Sequence, residues 1–249
     1  MPDTTSNISL KSDKSGIETD GIKWILNPYD EYAVEEAIQL KTANSDAILK
    51  VVSVGPAKRV TTAVRTALAM GADEGIVVDT ELELCPFATA KALAAAIKLD
   101  GSADQVFTGK LAIDDNASSV SQILAELLEI PHATVVSKFE RAGEKTIVER
   151  EVEGGNKEII ELTGANVVAA NKGLNKPRHA SLPNIMKAKK KPVKELKLDE
   201  LNVTAADNKV SYSQFSLPPE KAPVKMIEGD AGAQASTLAN LLRNEARVI

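Results

Sequence analysis

The sequence predicts an α/β fold, a mostly parallel sheet with helices on both faces, extended by antiparallel strands and a carboxyl-terminal arm. Three observations carry this. Between Asn27 and Ile130, amphipathic helical stretches alternate with short apolar runs, as when helices cross over between parallel strands. From Ala133 onward, strand-like runs follow one another around glycine turns without an intervening helix. After Pro192 the chain turns polar, passes Pro218, Pro219 and Pro223, and ends in one more helical stretch.

In chain order, Asn27-Pro28-Tyr29-Asp30-Glu31 reads as a helix start. Asn stands at the cap, Pro at the first helical position and acids at the positive end of the dipole. Ala33, Val34, Ala37, Ile38 and Leu40 continue the apolar stripe. Ile48–Val54 is a β-branched run that ends at the Gly55-Pro56 turn. Lys58–Met70 is helical, with Val60, Val64, Ala67 and Leu68 inward and Gly71 as C-cap. A strand over Gly75–Val78, an alanine-rich helix over Pro86–Leu99 and a strand over Asp104–Thr108 follow. Ser118–Glu129 is a helix with Val120, Ile123, Leu124, Leu127 and Leu128 on one face. Ala133–Glu140, Lys145–Val152 and Glu158–Leu162 are strand-like, the last two joined by Gly154-Gly155-Asn156, and Val167–Ala170 is a further short strand. Leu182–Lys191 is a short helix opened by Pro183, and the last helix spans Ala233–Arg247. The expected division is an α/β nucleotide-binding domain over 1–191 and an arm over 192–249. A long irregular arm ending in a helix loses more entropy than it can recover alone, so it is expected to lie on another surface.

Composition narrows the function. With 249 residues, 43% of them apolar, the chain can bury one substantial core. A net charge of −5 argues against a nucleic-acid binder. The single cysteine, Cys85, rules out an internal disulfide and any multi-cysteine metal site, and points to a reducing compartment. The two histidines, His132 and His179, are far apart and not at metal-ligand spacing. No apolar run approaches the roughly 20 residues of a membrane span, so no direct membrane insertion is expected. Met1–Asp20 has neither the apolar core of a secretory signal nor the arginine-rich pattern of a transit peptide. Binding or carrying is favoured over bond-making.

In folds of this type, ligands sit beyond the carboxyl ends of the strands. That singles out two loops. Gly109-Lys110-Leu111-Ala112-Ile113-Asp114-Asp115-Asn116-Ala117-Ser118-Ser119-Val120 leaves a strand and enters a helix, whose free amides and dipole suit a phosphate. Ser118 and Ser119 add hydroxyls and Lys110 adds charge, while Asp114 and Asp115 suit backbone amides or ribose hydroxyls. The plainer alternative is that these residues only cap a helix. Asn27-Pro28-Tyr29-Asp30 is open in the same way, between a capped start and a contact with adenine or flavin. A third segment, 174–191, sets Leu182, Pro183, Ile185 and Met186 beside Lys187 and Lys190. An apolar anchor with steering lysines suits docking on an acidic partner; a solvated loop is the alternative.

Five stretches in series resemble the beta subunits of electron transfer flavoproteins: Asn27–Ala37, Arg65–Asp73, Gly109–Lys110 with Ala112–Asp115, Val148–Glu151, and Leu182–Lys191. The resemblance covers essentially the whole chain. It implies an adenine nucleotide alpha-hydrolase-like fold and an electron carrier without catalytic residues of its own. It implies a structural AMP site lined by Asn27, Pro28, Tyr29, Asp30, Val54 and the loop Gly109, Lys110, Ile113, Asp114, Asp115, Asn116, Ala117, Ser118, Ser119 and Val120. Tyr29 is then near an FAD held mainly by an alpha subunit, and residues 170–192 form a recognition loop with Leu182 as anchor. Glu151 biases the orientation of the flavin domain, and the arm wraps the alpha subunit. The implied partners are the alpha subunit, the acyl-CoA dehydrogenases of fatty acid β-oxidation and a membrane quinone oxidoreductase. The implied location is the cytoplasm of a bacterium or the mitochondrial matrix of a eukaryote.

Family members usually open with a hydrophobic strand ahead of the position of Pro2. Its absence from Met1-Pro2-Asp3 is expected to reflect a misplaced start codon or a shortened chain. Asn116–Ser119 depart from the residues commoner there, which leaves the grip on phosphate to the backbone. Rival readings are a bifurcating relative with a second FAD in place of AMP and a stand-alone nucleotide-binding regulatory protein. A nucleotide hydrolase is disfavoured by the lack of a full P-loop.

Overall fold

The computed structural model of the chain describes residues 1–249. Its helices are α1 (Pro28–Ala43), α2 (Ala57–Met70), α3 (Pro86–Asp100), α4 (Val120–Leu128), α5 (Leu182–Ala188) and α6 (Ala231–Asn240). Its strands are β1 (Lys50–Gly55), β2 (Glu74–Asp79), β3 (Gln105–Gly109), β4 (His132–Ala142), β5 (Lys145–Glu151), β6 (Lys157–Thr163), β7 (Asn166–Ala170) and β8 (Val193–Lys197).

The strands form two sheets. One is parallel throughout, in the order β1-β2-β8; the other runs β3-β7-β4-β5-β6, parallel as far as β4 and antiparallel beyond it. Alternation along β2 shows how both faces are covered. Ile76 and Val78 pack with Ala92 and Ala96 of α3, while Val77 between them packs with Val60, Val64 and Leu68 of α2. The alanines of α3 let it lie close to its neighbours: Ala92 and Ala96 face β2, and Ala90 and Ala94 meet Leu124 of α4. The second sheet buries Ala133, Val136, Val148, Leu162 and Val168, with Phe107 and Phe139 edge to face at 5.0 Å.

The sheet is expected to be single, and it is divided. β1 pairs with β2 alone and β3 with β7 alone, so one edge of each carries no strand. Two helices span the division. α1 packs on β3 and meets α2, and α3 packs on β1 and α4.

The stretch after Pro192, expected as an irregular arm, is not irregular from its start. Val193–Lys197 is strand β8, parallel to β2, and Leu196, Leu198, Leu201 and Val203 are buried in the cluster around Ile76 and Val78. Lys194, Glu195 and Lys197 are exposed while Leu196 alone of the strand is fully buried, as on an exposed edge. Beyond it, residues 208–230 hold no helix or strand, and α6 buries none of its side chains.

Carboxylates fasten the ends of several elements, which fixes the acid response. Asp73 accepts from the Leu49 amide at 2.8 Å and pairs with Lys41; Asp79 accepts from the Ala57 amide at 2.6 Å and pairs with Lys197. Burial pushes the Asp73 carboxyl up, but the Lys41 and Leu49 contacts together hold it below the usual carboxylate range; Lys197 and Ala57 hold Asp79 low as well. A folded pKa below the unfolded one gives stability that is complete above the unfolded value and lost as pH falls through the folded one. Asp30 and Glu36, pushed up chiefly by burial, act oppositely and favour the folded state as pH falls through their own values. The urea midpoint should therefore hold or rise slightly on acidification toward pH 4.5, then fall below pH 3.8, and Asp79→Asn should make that fall shallower. A midpoint already falling between pH 7 and 5 would contradict this assignment.

Candidate functional site

The carboxyl end of β3 meets the start of α1, and the closeness of that meeting depends on a glycine. A Cβ at Gly109 would lie 2.7 Å from the Tyr29 Cβ, 2.8 Å from its carbonyl carbon and 2.9 Å from the Asp30 amide nitrogen. The Gly109 N–H donates to Asp30 Oδ1 at 2.7 Å. Its carbonyl accepts from Ser121 Oγ at 3.3 Å, and that hydroxyl also meets Thr108 Oγ1 at 2.7 Å. Asp30 thus crosses from α1 to the loop. Burial raises its pKa, against the Asn27 and Gly109 donors that lower it.

Asn27 occupies the N-cap position of α1 with Pro28 behind it, yet its side chain caps nothing. Instead Nδ2 donates to Asp30 Oδ2 at 2.9 Å and to the Leu111 carbonyl at 2.9 Å, while Oδ1 accepts from the Ile113 amide at 3.3 Å. The capping alternative fails here because the loop supplies better partners than the helix's own amides. Asn27 holds the loop to the helix.

The same alternative fails at the other end of the loop. α4 begins at Val120, later than the expected Ser118, and neither serine caps it. Ser118 takes φ +47° and turns its hydroxyl back to the Lys110 carbonyl at 3.2 Å, and Asn116 takes φ +53°. Asp115 accepts from the Ala117 amide at 3.0 Å, as the sequence suggests for these acids. The Ser118 and Ser119 amides find no acceptor within the chain. Free N–H groups just ahead of a helix start suit an anion.

Two cations frame this edge without a carboxylate partner. Lys110 Nζ lies 5.0 Å from the centroid of the Tyr29 ring, and the Arg59 guanidinium lies 4.3 Å from that of Trp24. Burial lowers the Arg59 pKa against the pull of Asp114. Neither Arg59 nor Trp24 is legible as a site residue, because they come together only through the antiparallel bridge of Pro2 with Trp24 and the first turn of α2. Val54 stands at the carboxyl end of β1, packed toward the Ile76 and Val78 cluster. It belongs to the other sheet and takes no part in the hydrogen-bond network of the loop.

The third segment leaves β7 at Asn171, whose Nδ2 donates to Glu151 Oε2 at 2.8 Å. Ser181 caps α5 by accepting from the Asn184 amide, with Leu182 as its first residue. Leu182 is 79% exposed and Met186 61%, with Ile185 and Pro183 also outward. Lys187 and Lys190 form no ion pair. Exposed apolar side chains thus stand together on the surface of a short helix beside two lysines without ion pairs. No helix of the chain is long and apolar enough to cross a membrane, and no group of three or more His, Cys, Asp or Glu side chains is placed to hold a metal ion.

Residues 15–201 match the family model described as the electron transfer flavoprotein domain. The chain is 42% identical to electron transfer flavoprotein subunit beta of Bacillus subtilis, over 99% of this chain and 96% of that protein. It is 42% identical to the subunit beta of Mus musculus, over 91% and 89% of the two chains. With the mitochondrial subunit beta of Arabidopsis thaliana it shares 37% identity over 99% and 96%. With matches of this strength along nearly its whole length, the chain belongs to the electron transfer flavoprotein family, among its beta subunits.

Proposed function

We propose that this chain is the AMP-holding half of an electron-carrying heterodimer. Its alpha subunit holds most of an FAD, which supplies the redox chemistry when bound. The pair accepts electrons from acyl-CoA and other flavin dehydrogenases and passes them to a membrane quinone oxidoreductase. It works in the cytoplasm of a bacterium or the mitochondrial matrix of a eukaryote.

The observation that carries this is the pair of free amides at Ser118 and Ser119, beside unpaired Lys110, at the carboxyl end of β3. They fit a phosphate monoester. The Asp30 carboxylate is engaged by Asn27 and the Gly109 amide. Tyr29 offers the alpha subunit's flavin an aromatic edge, with Lys110 over one face of the ring. The chain's own work is to hold, orient and dock. Glu151, tied to Asn171, sits where strand β5 meets the docking segment and helps to set the orientation of the flavin domain. Val224 and Met226, both about four-fifths exposed, and uncovered α6 give the arm an apolar face for the alpha subunit.

Coexpression with the alpha subunit, followed by release and separation of nucleotides, tests this reading. Equimolar AMP and FAD is the expected result. Two equivalents of FAD and no AMP would instead indicate the bifurcating arrangement. A chain that stays monomeric beside the alpha subunit and holds no adenine compound would overturn the proposal.

A further inference from the structure

The docking helix α5 is only two turns long; Leu182 and Met186 stand exposed and Ala188 alone is buried, against α2, so packing by itself holds it weakly. A cleft of about 670 Å³ runs between α2 and this segment, lined by Thr61, Thr62, Arg65, Ala69 and Ile185 among others. The segment is instead tied at both ends.

Ahead of the helix, Arg178 forms a two-pronged pair with Glu35 of α1. Nε meets Oε2 at 2.7 Å and a terminal nitrogen meets Oε1 at 2.8 Å, while the Arg178 amide also donates to Oε2 at 3.2 Å. The Glu35 side chain is 5% exposed and accepts a further bond from Gln39. Three residues earlier, Asn175 Nδ2 donates to Glu36 Oε2 at 2.8 Å and to the Tyr32 carbonyl at 3.0 Å. Behind the helix the exchange is reciprocal. Arg65 of α2 donates to the carbonyls of Ala188 and Lys191 at 2.6 and 2.7 Å, and Lys191 Nζ returns to the carbonyls of Leu68 and Ala72 at the end of α2.

The basic residues of the segment therefore divide. Arg178 and Lys191 turn inward and are consumed by the fold, while Lys187 and Lys190 remain for a partner. We propose that Glu35 with Arg178, and Arg65 with Lys191, are positioning residues that hold the docking helix in its binding-competent shape before the dehydrogenase arrives. This rests on the docking reading of Leu182 given above. It adds that affinity for the dehydrogenase is set in part by residues that never touch it, because a helix already ordered has no ordering to do on contact.

The test uses the heterodimer carrying Arg178→Ala, with Leu182→Ala as the control for docking itself. Electron acceptance from a reduced acyl-CoA dehydrogenase is measured against dehydrogenase concentration, and amide hydrogen exchange across 182–188 is measured without it. Leu182→Ala should raise the KM for dehydrogenase with flavin content intact and exchange unchanged. Arg178→Ala should raise KM by about tenfold, the scale of ordering a few side chains and a helical turn, with kcat at saturation kept and exchange across α5 faster. The exchanged pair Glu35→Arg with Arg178→Glu should recover part of both losses. If Arg178→Ala leaves exchange unaltered, or leaves KM unaltered while Leu182→Ala raises it, the positioning role is refuted and the docking reading survives. If neither variant moves KM, the docking reading fails and the positioning role falls with it.

Discussion

Gly109→Val should cost the fold at least ~3 kcal/mol, at the upper end of what overpacking a close contact costs, and, on the function proposed above, should leave the purified heterodimer without AMP. The reason lies in what the new side chain would meet. The first carbon alone comes within 3.0 Å of three atoms of Tyr29 and Asp30, two of them backbone, so no rotamer change can make room. α1 would have to lift away from β3, breaking the bond from the Gly109 amide to Asp30 and loosening the packing between the two elements. Gly109 does not occupy the left-handed region, so the penalty is one of space rather than of backbone strain. Gly109→Ala should accordingly show the same loss in smaller degree. Urea midpoints and bound AMP would decide it; a valine variant as stable as the parent would mean that α1 is not seated on this strand as described.

Much of the fold was legible because the strands and helices of the first half carry clean signals. Pro28 and Pro86 open helices, Gly71 at φ +153° closes one, and β-branched runs lie between them. Strand β8 was not legible. Val193-Lys194-Glu195-Leu196-Lys197 follows a lysine run and a proline, and its one deeply buried residue gives no periodicity to read. Partner strand β2 decides the matter, a contact spanning more than a hundred residues of sequence. Glu35 and Glu36 escaped for a similar reason. Charged residues beside an apolar stripe read as a solvated flank, and only Arg178 and Asn175, far along the chain, reveal that both are buried.

Within the 109–120 loop and at the start of α1, the hydrogen bonds differ from what local propensity predicts. Asn27, Ser118 and Ser119 have the composition of caps, and local propensity favours that role. Each instead turns to the loop or leaves its amide free, because the loop from 109 to 119 must be held from both sides. Local rules fail there for a physical reason: partners brought in by the tertiary fold outcompete the helix's own amides for these side chains.

Asn27→Ala should therefore destabilise the chain by roughly 2–4 kcal/mol, since a buried donor or acceptor left without its partner costs ~1–3 kcal/mol. Asn27 is 6% exposed, and its removal strands the Leu111 carbonyl and the Ile113 amide and takes one of two donors from Asp30. That last loss feeds back on the site, because the Asp30 carboxyl is already raised by burial and Asn27 is the larger of the bonds that restrain it. A serine distinguishes holding the loop from capping the helix. Serine caps helices about as well as asparagine, but its short hydroxyl cannot reach both Leu111 and Ile113 across the loop. Asn27→Ser should be no more stable than Asn27→Ala in urea, and both should lose AMP on gel filtration. Recovery of parental stability by serine would return Asn27 to the role of a simple cap, and would leave the 109–120 loop without the side chain that joins it to the helix.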